Sequence, residues 1–191
     1  MKARKGSDSE NYRKEMKETI FDTIIQMLED KPYSDIETSE ICEKAFISRQ
    51  TFYRYFQNKD NVVRWKTKQL LCNGIGRIGR DLSWEDGLTV TLAGMYRYRT
   101  FFSDLQYAEF VTKFIDYCTE VEGGLFIETI SRYKYEPLTP LLEFQIESLC
   151  IAQGYMTRKW CIDNMQLSPR EFASYLSSIV PYHLYHLLKL E

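Results

Sequence analysis

The chain is poor in the residues that build metal centres and covalent frameworks. Its 191 residues hold two histidines, His183 and His186, and five cysteines, Cys42, Cys72, Cys118, Cys150 and Cys161. The cysteines are odd in number and never form a CxxC pair. That argues against a disulfide framework and a zinc site, and points to a reducing compartment. The histidines lie three apart on a helical pattern, but no Cys, Asp or Glu set joins them nearby, so no metal is expected. No run approaches the roughly 18 apolar residues that a membrane span requires. The N-terminal MKARKGSDSENYRKE has charges with no apolar stretch behind them. A signal peptide is therefore not expected, and the cytoplasm is the expected compartment. No serine or cysteine has a recognisable base at a familiar spacing, so neither an enzyme nor a cofactor is expected. Gly74-Ile75-Gly76-Arg77-Ile78-Gly79 imitates a glycine-rich phosphate loop but lacks the preceding strand and the Lys-Ser/Thr pair. It reads as the weak end of a long helix.

What is present is ordinary globular material: 44% hydrophobic and 27% charged residues, enough at this length to bury a core in one compact unit or two small ones. The net charge of −2 conceals an asymmetry. Residues 1–80 carry 16 basic and 12 acidic side chains, whereas residues 81–191 carry 9 and 15. Between positions 44 and 80, Lys44, Arg49, Arg54, Lys59, Arg64, Lys66, Lys68, Arg77 and Arg80 face one acid, Asp60. Such a segment reads either as a phosphate-attracting stripe or as a solvated helix face.

The pattern is all-α, with no alternating strand, repeat or low-complexity stretch. Ser7 and Glu10 are spaced as a capping box, and Ile20, Phe21, Ile24, Ile25 and Leu28 form a stripe that Pro32 closes. Thr38 or Ser39 is expected to cap a short helix to Ala45, Ser48 a second to about Phe56, and Asn58 a long one toward Gly79. These divide the chain into an N-terminal region at 1–58, a connecting helix at 59–82 and a C-terminal region at 83–191. Helices are expected at about 86–101, 104–121 and 125–135, with Gly123-Gly124 breaking the pattern. Two long helices close the chain at about 138–164 and 169–189. The last starts from Ser168, Pro169 and Glu171 and is kinked at Pro181.

The stretch TSEICEKAFISRQTFYRYFQNKDNVV carries the functional signal. Ile41 and Ala45 sit one turn apart and face inward, Phe46-Ile47-Ser48 is a corner, and Phe52 and Phe56 anchor the second helix. Arg49, Gln50, Tyr53 and Arg54 are left outward, with Thr51 near the first turn. Two short helices joined by a three- to four-residue turn are a helix-turn-helix, whose second helix enters the major groove. Arg49 suits guanine, Gln50 adenine and the Thr51 methyl thymine, while Tyr53, Tyr55 and Lys59 suit phosphates.

Ile41, Ala45, Ile47-Ser48-Arg49, the run TFYRYF and Asn58-Lys59-Asp60 resemble the TetR family of bacterial one-component regulators, in particular its DhaS-like subset. The resemblance covers about residues 12–65; the remainder matches only in plan. It implies an N-terminal three-helix DNA-binding domain followed by a helical ligand-binding and dimerisation domain. It also places Thr38, Ser39, Arg49, Gln50, Thr51, Tyr53, Arg54, Tyr55 and Lys59 at DNA-facing positions; Ser48, the cap, joins this candidate set. The family commonly has Gly where this chain has Phe46, a residue that must avoid positive φ or bear strain.

The resemblance implies a homodimer, paired through the last two helices on double-stranded palindromic operator DNA, acting as a repressor released by an unidentified small-molecule effector. The alternative is a coactivator or adaptor of the same fold that works through a partner protein. Leu142, Ile146, Leu149, Gln153, Met156 and Trp160 form one C-terminal stripe, and Phe172, Leu176, Ile179, Val180, His183, Leu184 and Leu187 another. Either can bury within the domain or against a second subunit. Tyr96, Phe101, Phe102, Phe110, Phe114 and Tyr117 are candidates to line an effector pocket, or else simply core.

Overall fold

The computed structural model describes residues 4–107 and 109–190, and it divides into two compact units, Met1–Lys66 and Thr67–Glu191. Among the described residues there is no strand, only one isolated bridge between Ile78 and Leu82. No described helix is long and apolar enough to cross a membrane.

The first unit contains α1 (Arg4–Met27), α2 (Thr38–Lys44), α3 (Arg49–Tyr55) and the start of α4 (Lys59–Asn73). Because α1 begins at Arg4, Ser7 lies inside the helix and not at its cap. The core gathers Ile20, Phe21 and Ile24 of α1 with Ile41, Phe52, Phe56, Val62 and Val63, all buried. Each such side chain contributes roughly 1.5–3 kcal/mol through removal from water. The expected cap of α2 moves by a residue. Glu37 fills it, its side chain accepting from the Glu40 amide while the Glu40 carboxylate accepts from the Glu37 N–H at 2.9 Å. Glu40 also holds the Lys31 ammonium, and that hydrogen bond, with the Glu37 amide, keeps its carboxyl below the usual range. Ser48 caps α3 as expected, accepting from Thr51 N at 3.0 Å. Asn58 opens α4 by accepting from Asn61 N at 3.0 Å.

The second unit begins within α4, which stops at Asn73, short of Gly79. Its end is set by a close approach: a Cβ on Gly74 would stand 2.2 Å from Thr91 Oγ1 and 2.4 Å from the Gly87 carbonyl. Only a glycine lets the backbone come so near. There follow α5 (Trp84–Arg97), capped by Ser83, then α6 (Arg99–Asp104) and α7 (Val111–Thr129). The expected helices at 104–121 and 125–135 are instead joined: α7 runs through Gly123-Gly124 and ends in a π turn over Ile130–Lys134. Packing of α7 on α8 (Pro140–Ile162) outweighs the roughly 1 kcal/mol that each helical glycine costs. A Gly123 Cβ would make ordinary contact, 3.7 Å from Ile146 and 3.9 Å from Cys150. α9 (Pro169–Ser178) has the expected Ser168/Glu171 capping box. Pro181 separates it from α10 (Tyr182–Leu187) and does not merely kink one helix.

Candidate nucleic-acid interface and core cavity

The geometry of the helix-turn-helix follows from its corner. The Ile47 N–H donates to Cys42 O at 3.0 Å and the Phe46 N–H to Glu43 O at 3.1 Å, the paired bonds of a Schellman motif. This motif requires a left-handed residue at its turn, and Phe46 supplies it with φ +54°. The ring projects into solvent, 96% exposed. Phe46 therefore does not avoid positive φ but bears it, and the corner keeps the form that glycine would give.

Inward, Phe52 contacts Phe56 at 6.2 Å between ring centroids, and Phe56 contacts Trp65 at 5.8 Å. That pins one side of α3 and leaves Arg49, Gln50, Tyr53 and Arg54 exposed on the other. Thr38, Ser39, Arg49 and Tyr53 share one shallow groove with Asn58, Lys59 and Asp60. Arg54 and Tyr55 open onto a different groove, which they share with Arg13, Lys14 and Lys17 of α1. Sequence reasoning passed over these α1 cations. Their signal is the basic spacing of 13, 14 and 17 on a helix whose other face is apolar.

Other members of the basic stretch are engaged within the protein. Lys66 is buried and donates to Glu18 Oε2 at 2.7 Å. Arg77 pairs with Asp81, and Arg80 reaches Glu128 at 3.2 Å. The Lys59 ammonium donates to the carbonyls of Tyr33, Ser34 and Ile36 at 2.8, 3.0 and 2.7 Å, so its three N–H donors are all in use. Burial holds its pKa below the ordinary lysine value. The Ser48 hydroxyl is likewise occupied, with the Thr51 N–H and the Thr51 hydroxyl. Gln50 is solvent-facing and Thr51 half-buried.

Within the second unit lies a cavity of about 70 Å³ between α4, α5, α6, α7 and α8. Leu88, Leu92, Met95, Phe102, Phe114 and Ile115 make most of its wall apolar. Of the six aromatic residues expected to line a pocket, Phe102 and Phe114 do so. Phe101 is buried elsewhere, Tyr96 stacks on Trp160 at the surface, Phe110 packs edge-on against Phe114, and Tyr117 is half-buried outside the wall. Polar groups missed in the sequence break the apolar wall: Thr67, Gln106, Glu122, Gln153 and Arg158. Among the described residues, no group of three or more His, Cys, Asp or Glu could hold a metal ion.

Residues 20–64 match the family model described as bacterial regulatory proteins, tetR family. The HTH-type dhaKLM operon transcriptional activator DhaS of Lactococcus lactis subsp. lactis (strain IL1403) is 41% identical over 39 residues, which is 20% of this chain and 21% of that protein. The match thus spans about a fifth of the curated relative. Two solved structures share the fold at 18% identity. One, described as the dihydroxyacetone kinase operon activator DhaS, has a TM-score of 0.63 and covers 92% of this chain and 98% of its own. The other, the TetR family repressor AlkX from Dietzia sp. Strain DQ12-45-1b, has a TM-score of 0.57 and covers 90% and 98%. Residues 20–64 thus carry a tetR-type sequence match, and the two-part helical architecture is the fold shared with these two structures over nine-tenths of the chain.

Proposed function

We propose that the chain is a homodimeric repressor that binds a palindromic operator and is released by a small effector held in the α4–α8 cavity. The observation that carries the DNA reading is the outward set of Arg49, Gln50 and Tyr53 on a helix fixed from behind by Phe52 and Phe56. Arg49 and Gln50 are the side chains able to pair bidentately with guanine and adenine edges. Arg54 and Tyr55, with Arg13, Lys14 and Lys17, supply the phosphate contacts that set register and make affinity salt-dependent. Lys59 serves the interface through position: its ammonium anchors the start of α4, leaving the backbone N–H groups there for phosphate.

Dimerisation has a separate support. The stripes expected to serve it are largely buried within the unit: Leu142, Ile146, Leu149, Gln153 and Trp160 on one, Phe172, Leu176 and Leu184 on the other. The opposite face of α8 is apolar and exposed, with Leu141 64%, Phe144 66%, Ile151 46%, Tyr155 47% and Ile162 41% accessible. These positions recur at spacings of three, four and seven, the pattern of a helix seam. A second copy of the same helix suits it, since a two-fold operator needs a two-fold protein. α4 links the parts, carrying Val62 and Val63 into the first core and Thr67 and Leu71 into the cavity wall. An occupant that favours one setting of α4 would change DNA affinity by its differential binding to the two states.

The test is selection of bound sequences from random duplexes, followed by gel shift with Arg49→Ala/Tyr53→Ala. The selected site is expected to be a palindrome, and the double variant to lose specific binding while remaining folded. Unchanged affinity in that variant would exclude α3 as the reader. The Lactococcus relative is named an HTH-type transcriptional activator, which favours a second reading, an activator of this fold in place of a repressor. Such a protein would bind the same selected duplex but raise, not lower, transcription from a promoter placed beside it.

A further inference from the structure

The cavity wall presents acceptors that the protein itself leaves unmatched. Gln106 Nε2 donates to Phe102 O at 2.8 Å, and Gln153 Nε2 donates to Leu176 O at 3.2 Å. A carbonyl only accepts, so both amides are locked with nitrogen on the backbone and oxygen free. Gln106 Oε1, Gln153 Oε1 and Glu122 Oε1 are buried with no hydrogen-bond partner in the protein, and all three residues line the same cavity. Their residues are 7%, 2% and 5% exposed. A buried polar atom without a partner costs on the order of 1–3 kcal/mol, and more when charged, so the group that matches them has a large differential to gain.

We infer that the cavity takes a small organic cation, a primary ammonium on a short apolar body, with its N–H groups on Glu122, Gln106 and Gln153. An ammonium has three donors and no acceptor, which fits the three unmatched acceptors in a wall whose remaining polar side chains are threonines and Arg158. Its charge would complement the one acidic side chain there. Burial pushes the Glu122 carboxyl up to about 8. The remaining titratable groups near it are the thiols of Cys118, Cys150 and Cys161 and the guanidinium of Arg158. A cavity of about 70 Å³ admits a body of roughly five heavy atoms, taking about one water-sized probe per 10–15 Å³. This inference rests on the cavity being the effector site, but its test does not need DNA.

The experiment is titration calorimetry of the full chain at pH 7 with n-butylamine, 1-butanol and butyrate, repeated in buffers of different ionisation heat. Butylamine is expected to bind and raise Tm, butanol at least tenfold more weakly, and butyrate not at all. Because Glu122 is largely protonated at pH 7 and would ionise against the ammonium, amine binding should release close to one proton. Glu122→Gln, which keeps the shape, should abolish the release and weaken the amine at least tenfold while leaving butanol unchanged. Gln153→Met should weaken the amine without altering the proton count. Equal binding of butyrate or butanol, amine binding without proton release, or no binding of amine by the folded protein would each overturn the inference. Amine binding that leaves operator affinity untouched would uphold it and remove the effector role instead.

Discussion

The Lys59 ammonium sits 4.7 Å from the centroid of the Tyr33 ring and donates to the Tyr33 carbonyl at 2.8 Å, while the Tyr33 hydroxyl donates to Asp60 at 2.8 Å. Two adjacent residues at the start of α4 thereby clamp the turn that leads from α1 into α2. The clamp fixes where α4 begins relative to α3, a geometry that the proposed groove binding requires.

Lys59→Met tests whether this side chain is a clamp or a phosphate ligand. Loss of three charge-assisted hydrogen bonds, partly replaced by water, should lower stability by about 1–3 kcal/mol. Operator affinity should fall through geometry, but the slope of log K against log salt should stay within about half a unit of the parent. Arg54→Ala, by contrast, should reduce that slope by about one.

Phe46 bears a left-handed backbone with its ring almost wholly in water, so the ring gives up little packing if removed. Left-handed geometry costs a residue with a Cβ roughly 1–2 kcal/mol relative to glycine. Phe46→Gly should therefore raise stability by about 1 kcal/mol in urea denaturation, less whatever the more flexible unfolded chain takes back. Operator affinity should be unchanged.

Much of this was legible in the sequence, for reasons that particular residues show. Ser48, Asn58 and Ser168 announce helix starts because capping is local chemistry, satisfied within three residues. Phe52 and Phe56 declare the inward face of α3 because helical spacing alone decides it. Gly123-Gly124 misled because helix propensity is local while the contact with Ile146 and Cys150 is not. Lys59, Lys66 and Arg80 look like a basic stripe until their partners, Tyr33, Glu18 and Glu128, are brought in from distant positions. Glu122, Gln106 and Gln153 carry no motif; only burial without partners marks them.

The exposed seam on α8 predicts the oligomer. Phe144→Asp/Ile151→Asp should give a monomer by sedimentation, with far-UV helicity retained because neither side chain belongs to the buried core. Operator affinity should drop at least a hundredfold, since each head would then bind a half-site alone. A stable dimer in this variant would place the two-fold contact elsewhere.

Glu122 sets a pH dependence whose sign can be worked out. Its folded pKa of about 8 lies above the ordinary 4.5, so the folded state binds the proton more tightly than the unfolded chain. Stability from this group is therefore fully present below about pH 4.5 and is lost progressively as pH rises to about 8, beyond which no more is lost. The total is on the order of a few kcal/mol. Glu122→Gln removes the titration while keeping the side-chain volume. The variant should match or trail the parent near pH 5 and exceed it in denaturation midpoint at pH 8.5. Parallel stability curves for the two proteins between pH 5 and 8.5 would show that Glu122 is not the buried, uncompensated carboxyl its surroundings make it.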